Sequence, residues 1–471
     1  MHQLYFIILI SLMTIPGFSQ QNDIQKALTP DRAKELESAL QQMYERQQFN
    51  GTLLLAEEGE IVFEKVLGIS NINTGEPLQS NSSYRLASVS KQFIAMGIMI
   101  LAEKGKLSYE DDIQTFFPEL PYKGITVRHL LHHTGGLTDY MDLFVEHWDT
   151  EQELEDRQIA YNEDMVKLFA EHQPKIDFEG GEKYEYSNTG YVLLGSIIER
   201  VSKQSIHDFM YENVFQVAGM TNTRAFKAEG DFGIKNRVYG FIQVDENETE
   251  MNDHNFLNGM VGDGGIYATA QDLLAWDRAL KTEKLVSQQT LRTAFTSGVL
   301  NDGSSTGYGF GWGVVYDDNG NTKQVSHGGS WVGFRTFIGR DLKDDRTLIL
   351  LTNNSDNQMS RIVKIATNIW KGEDYELPEE KIAIELAPEV MKQYVGVYEL
   401  APGFNITITV EDDRMFGQPT GQGKLELFPS SETEFFLRVV DASVTFNKNA
   451  VGEVESMTLH QGGDQVGKKI E

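Results

Sequence analysis

Ser88-Val89-Ser90-Lys91 sets a hydroxyl and an amine three positions apart. On a helix that spacing puts both side chains on one face, so Ser88 and Lys91 can meet. A serine hydroxyl is a poor nucleophile until a base takes its proton. Lys91 can be that base once burial and its neighbours bring its pKa well below the reference of about 10.4. A helix start at the same place adds backbone N–H groups suited to a developing oxyanion. Alone the pattern is common, and a capping serine beside a surface lysine produces it equally well. Two further groups lie downstream. Tyr186-Ser187-Asn188 precedes an apolar helix, where a loop can present a phenol and an amide to a cleft. His327-Gly328-Gly329 falls on an expected strand, where paired glycines let a substrate backbone approach and pair along the edge.

Other chemistry-bearing patterns lack the context they need. Gly303–Gly307 spells G-x-S-x-G around Ser305, but in a polar loop with no strand before it and no helix after it. Gly462–Lys469 approaches a phosphate loop, yet ends in Lys469 where Ser or Thr is required. His129, His132 and His133 have helical ligand spacing without an acidic third ligand, and read as structural histidines beside the Thr134-Gly135-Gly136 turn. No metal and no cofactor is expected. With no cysteine in the chain, disulfides, thiol nucleophiles, cysteine zinc sites and a lipid-modified N-terminal cysteine are all excluded.

These residues sit in a chain of 471, long enough for two to four domains, and 40% hydrophobic, enough for sizeable cores. The balance of 41 basic against 70 acidic residues, net −29, repels nucleic acid. Tyr5–Ile15 is an apolar run followed by Pro16, Gly17, Phe18 and Ser19, which reads as a signal peptide over residues 1–20, too short to span a membrane. Export to the periplasm or the exterior follows, with no stable membrane span after cleavage.

Thr29-Pro30-Asp31 opens an amphipathic helix, and Gly51–Ala56 with Ile61–Leu67 reads as a hairpin. Helices are expected over Ser88–Lys104, Met141–Glu171 (very acidic), Gly190–Lys203 and Ala270–Leu280. Strands follow over Tyr308–Tyr316, Gln324–Gly339 and Thr347–Leu351, then a helix over Met359–Trp370. The order implies an α+β fold: an antiparallel sheet flanked by helices, with a helical subdomain, over residues 21–375. Residues 376–390 read as a linker. Over 391–471, six short strands (Gly396–Leu400, Asn405–Val410, Lys424–Pro429, Glu434–Val440, Ser443–Lys448 and Val454–Leu459) indicate a small all-β barrel or sandwich.

Five ordered blocks, RLASVSKQF from Arg85, LLHHTGGL from Leu130, YSNTGYVLLG from Tyr186, GGIYATAQDLLAWDRAL from Gly264 and HGGSWVGFR from His327, resemble the class C β-lactamase-like serine hydrolases over about residues 30–372. That family also holds DD-carboxypeptidases, D-aminopeptidases and esterases. The C-terminal domain resembles the lipocalin-like appendage of some members. The resemblance implies a cofactor-free enzyme with Ser88 as acylating nucleophile, Lys91 as its base or proton relay and Tyr186 as proton shuttle to the leaving group. Asn188 would hold the substrate amide, and the N–H groups of Ser88 and Ser330 would form the oxyanion hole. His327 and Gly328 stand where the β-lactamases carry lysine and threonine, which engage a substrate carboxylate, and Arg335 could restore an anion contact. The implied partner is a small molecule or peptide with a hydrolysable acyl group, with esterase or D-amino-acid peptidase chemistry ahead of β-lactamase or DD-carboxypeptidase chemistry. A non-catalytic penicillin- or peptidoglycan-binding sensor is the third reading.

Overall fold

The computed structural model describes residues 27–148, 159–227, 233–243, 248–355, 359–377, 383–401, 404–411, 413–420, 424–437, 442–449, 451–461 and 463–470. The expected signal peptide lies outside these, as do residues 149–158 of the acidic stretch, 378–382 of the linker and Gly462. The chain divides after Tyr375 into two compact units.

The first unit begins with helix α1 (Pro30–Glu45). Thr29 accepts the Arg32 N–H, Pro30 sits where its missing N–H costs nothing, and Leu36, Ala39, Leu40 and Met43 are buried. Strands β1 (Gly51–Glu57) and β2 (Glu60–Leu67) follow as a hairpin. Late in the unit come β3 (Gly313–Tyr316), β4 (Thr322–Trp331), β5 (Phe334–Asp341) and β6 (Arg346–Thr352). They complete a six-stranded sheet in the order β3-β4-β5-β6-β1-β2, every neighbouring pair antiparallel. Leu53–Leu55 and Ile349–Leu351 are fully buried, because helices cover the central strands on both faces.

Between the two halves of the sheet lies the helical region. Helix α2 (Lys91–Glu103) buries every residue from Lys91 to Leu101. It packs on α4 (Asn188–Ser202), with α3 (Tyr140–His147) and α5 (Ala270–Ala279) as further elements. At the α2–α4 contact a Cβ on Gly97 would lie 2.6 Å from Ile198 Cδ1, so glycine sets how closely the helices approach. Helix α6 (Met359–Lys371) closes the unit, and Arg32 on α1 donates to its Trp370 carbonyl at 3.2 Å.

Three elements differ from the sequence reading. Gln324–Gly339 is a hairpin, not one strand. It reverses at Val332-Gly333, with valine rather than glycine or asparagine in the left-handed region, at φ 42°. Contacts around the turn hold it there: Gly333 N–H donates to Asn252 O at 2.7 Å, and Arg335 Nη1 donates to Val332 O and Phe334 O at 3.1 and 2.8 Å. Only Gly313–Tyr316 of the Tyr308–Tyr316 stretch is strand, since Phe310 N–H turns away to Ala294 O. The acidic stretch contains two helices, Tyr140–His147 and Asn162–His172, each with its own N-cap geometry.

The second unit is a closed antiparallel barrel of eight strands running from Gly396–Ala401 to Asp464–Lys469. Two strands went unread, Arg414–Pro419 and Asp464–Lys469. Their buried positions are Met415 with Gly417, and Gly467, so the inward glycines erase the apolar alternation. Asp464–Lys469, the near-phosphate loop, is thus a barrel strand. Tyr394, Tyr398, Ile408, Phe435, Phe446 and Met457 fill the core.

Candidate active site

Ala87–Ser90 forms a single tight 3₁₀ turn before α2, entered through Ala87 at φ 49°. A non-glycine residue in that region is strained, and the strain sits one residue before Ser88. The turn is held from the sheet side: Thr336 Oγ1 donates to Leu86 O at 2.6 Å, and a side chain at Gly329 would run into that same carbonyl. Ser88 is 6% exposed and Lys91 fully buried.

Lys91 Nζ lies 3.2 Å from Ser88 Oγ, 2.9 Å from Asn188 Oδ1 and 2.9 Å from the Asp263 carbonyl. Asn188 reaches it because α4 starts there, capped by Ser187 on the Gly190 N–H. Burial lowers the Lys91 pKa to about 8, against the opposing pull of Asp263 and Asp139. Two of its three neighbours only accept hydrogen bonds. A neutral amine can donate to both and turn its lone pair to the Ser88 hydroxyl.

Tyr186 stands over this amine, its ring 4.9 Å from Nζ. Its hydroxyl is buried without a hydrogen bond. Burial raises its pKa well above the ordinary tyrosine value, with Ser88 the opposing polar neighbour. The phenol therefore stays protonated, and Lys91 is the titrating member of the pair.

His327 approaches from β4. Its Nδ1 lies 2.6 Å from Gly328 O, which can only accept, so Nδ1 carries the proton and Nε2 accepts from Tyr308 OH at 2.8 Å. Burial and the Lys91 charge lower its pKa to about 3. The ring is neutral and both nitrogens are engaged. A side chain at Gly328 would point at Met359 on α6, away from Ser88. Strand β3 leaves β4 at Ser326, so among the described residues no strand pairs with the other edge of His327–Trp331. That open edge includes Ser330, whose hydroxyl is buried without a partner. Arg335, an expected anion contact, has Nη1 on the hairpin carbonyls.

The sequence reading missed Asp263, Tyr308 and His133. The first two act through a carbonyl and a loop hydroxyl, which leave no spacing signal. His133 was set aside as structural, yet it grips Tyr186 from both sides. Its carbonyl accepts the Glu185 N–H at 2.9 Å, its Nδ1 accepts the Ser187 N–H at 3.0 Å, and its ring lies 4.2 Å from the Tyr186 ring. It does so from a left-handed backbone at φ 58°. Ser305 lies elsewhere, 2.7 Å from Ser297 Oγ, with no base beside it among the described residues. Those residues contain no cluster suited to a metal ion.

A serine–lysine pair at the start of a buried helix, a tyrosine–asparagine loop over it and an open strand edge beside it define a serine hydrolase of the β-lactamase fold. Residues 36–367 match the beta-lactamase family, and the chain belongs to it. Residues 380–469 match a family described as a domain of unknown function. The chain is 37% identical over 453 residues to a penicillin-binding protein of Bacillus subtilis (strain 168), covering 92% of this chain and 98% of that protein. It is 25% identical over 293 residues to a D-aminopeptidase of Cereibacter sphaeroides, covering 60% and 53% respectively. The solved octameric penicillin-binding protein homologue from Pyrococcus abyssi has the same fold, with TM-score 0.62 at 24% identity over 92% of this chain and 99% of that one.

Proposed function

We propose that the protein is an exported serine acyl-hydrolase that works through a Ser88 acyl-enzyme, on esters or on amides without a free carboxylate at the scissile end. The observation that carries the reading is the buried Lys91 amine 3.2 Å from Ser88 Oγ, with its other two neighbours both acceptors. In the neutral form Lys91 takes the Ser88 proton as Oγ attacks the acyl carbon. The carbonyl oxygen becomes an oxyanion, and the N–H groups of Ser88 and Ser330 receive it. Tyr186, protonated and next to both groups, gives its proton to the leaving group as the carbonyl re-forms and takes the Ser88 proton in turn from Lys91, so both return to their starting forms. A water molecule, activated in the reverse sense, then releases the acid and restores Ser88. Asn188, its Oδ1 on Lys91, has its amide N–H groups left for the substrate acyl chain.

The substrate preference rests on His327. A neutral imidazole with both nitrogens engaged gives a substrate carboxylate no charge-assisted hydrogen bond. Such a bond contributes roughly 1.5–3 kcal/mol, or about tenfold to a hundredfold in affinity. The second reading, a β-lactamase or DD-carboxypeptidase, draws on the similarity to a penicillin-binding protein. Turnover of p-nitrophenyl acetate, nitrocefin and a D-Ala-D-Ala peptide separates the two. The ester should have the highest kcat/KM, and a wide preference for nitrocefin would favour the second reading. Ser88→Ala should lower ester turnover by several orders of magnitude, while Ser305→Ala leaves it intact.

A further inference from the structure

Two acceptors, Asn188 Oδ1 and the Asp263 carbonyl, each 2.9 Å from Nζ, decide how the Lys91 amine is turned. The carbonyl comes from Gly262-Asp263-Gly264-Gly265, a segment outside any strand, with Gly262 at φ 150° and Gly265 at φ 87°. A segment of that composition has little conformational preference of its own, so a contact from elsewhere must fix it. Tyr140, the first residue of α3, supplies that contact. It is 1% exposed, and its hydroxyl donates to Asp263 Oδ2 at 3.0 Å. Among the described residues no other side chain hydrogen-bonds the Asp263 carboxylate. Burial raises the Tyr140 pKa well above the ordinary tyrosine value, so the hydroxyl keeps its proton and stays a donor. The same residue also reaches the other acceptor. Tyr140 N–H donates to Thr189 Oγ1 at 2.8 Å, and that hydroxyl donates in turn to Thr138 O at 2.8 Å. Thr189 is fully buried and directly follows Asn188 in the first turn of α4.

We propose that Tyr140 is a positioning residue for the general base: it fixes the two acceptors that turn the Lys91 amine toward Ser88 Oγ. It acts through Asp263 and Asn188, not on the reacting atoms. The hydroxyl serves the Asp263 arm and the backbone N–H the Asn188 arm, so a side-chain substitution tests one arm alone. Without the hydroxyl the glycine-rich segment and its carbonyl are free to shift. The amine then loses a fixed direction, and proton removal from Ser88 slows, since a misplacement of about 1 Å in such a site costs up to about a hundredfold. The inference rests on the acyl-enzyme reading and adds to it the residue that orients the base.

The test is the second-order rate of labelling by a fluorophosphonate on the full-length protein, with the final extent of labelling read by intact mass. Tyr140→Phe keeps the ring and the backbone N–H and removes only the hydroxyl. It should label about tenfold more slowly than wild type, to the same final extent. Tyr122→Phe removes another buried tyrosine hydroxyl, 2.9 Å from Pro174 O, and should stay within about twofold of wild type. Asp263→Asn keeps an acceptor for the Tyr140 hydroxyl, and Asp263→Ala does not. Both remove the same charge, so its effect on Lys91 cancels between them, and the alanine variant should be about tenfold slower than the asparagine variant. Tyr140→Phe added to Asp263→Ala should change the rate by less than about twofold, because the contact is already lost. An unchanged rate in Tyr140→Phe, or a further tenfold loss in the double variant, would overturn the proposal. Should Tyr140→Phe label incompletely through loss of fold, the Asp263 variants decide, and equal rates in the two would overturn it. A wild type that takes up no label would overturn the acyl-enzyme reading instead.

Discussion

Lys91 and Ser88 were legible because their chemistry is written in a local spacing, and the structure brings them to 3.2 Å. What no spacing shows is the protonation state, which burial sets. With the Lys91 pKa lowered to about 8, the reactive amine is the minor form at pH 7. The acid limb of kcat/KM for a neutral ester should therefore fall about tenfold per pH unit below pH 8. Lys91→Arg keeps the charge but cannot accept a proton, so it should be as inactive as Lys91→Ala. The pH profile of the wild type, read beside those variants, checks this. His327 at about 3 and His133 lowered well below its ordinary value are both uncharged in this range. A limb centred near 6.5 would assign the titration to another group. His133 itself yields a second expectation. Asparagine tolerates a left-handed backbone and presents an acceptor where Nδ1 stands. His133→Asn should stay within about tenfold of wild type, while His133→Leu, losing the Ser187 contact, should cost about a hundredfold in kcat/KM. Recovery of the rate in the asparagine variant, with the Leu variant equally well folded by circular dichroism, distinguishes positioning from general stability. Equal loss in both would contradict the role.

The elements explain why two adjacent glycines behave differently. Gly329 faces the Leu86 carbonyl and the Ala87 methyl, whereas Gly328 faces the flexible end of Met359, 3.1 Å from where its Cβ would lie. Gly329→Ala should push β4 off the Ser88 turn and cost about a hundredfold in kcat/KM. Gly328→Ala should cost at least about tenfold less, and steady-state kinetics on the pair decides it. Comparable losses would mean that the strand edge, rather than its contact with the turn, is the sensitive feature. The antiparallel character of the sheet, α1, α2 and α4 could be read in advance because apolar periodicity and caps signal them directly. The β4–β5 reversal could not. Its turn is imposed by Asn252 and Arg335, distant or unrecognised partners, on a valine that local propensity would place in a strand. The same holds for Tyr308: its loop is fixed by Ala294 and by the close approach of Gly311 to the Gln92 backbone.

At the scale of the whole molecule, two separate cores answer to two sequence families. Phe446, 2% exposed, stacks on Tyr394 at 4.3 Å in the barrel core. Phe446→Ala should cost about 3–5 kcal/mol. In calorimetry that lowers the barrel transition by more than about 10 °C and leaves the hydrolase transition in place. A common shift of both would show that the units unfold together. The net charge of −29 also bears on substrate capture, since a field of that sign attracts cationic substrates and repels anionic ones, increasingly as salt is lowered. The catalytic expectations all depend on Ser88 being the residue that is acylated. Intact-mass analysis of the full-length protein after incubation with a fluorophosphonate, followed by peptide mapping, tests that most directly. The wild type should gain one adduct, mapped to Ser88, and Ser88→Ala should gain none. The same adduct on Ser88→Ala, or an adduct mapped to Ser305 in the wild type, would contradict the account.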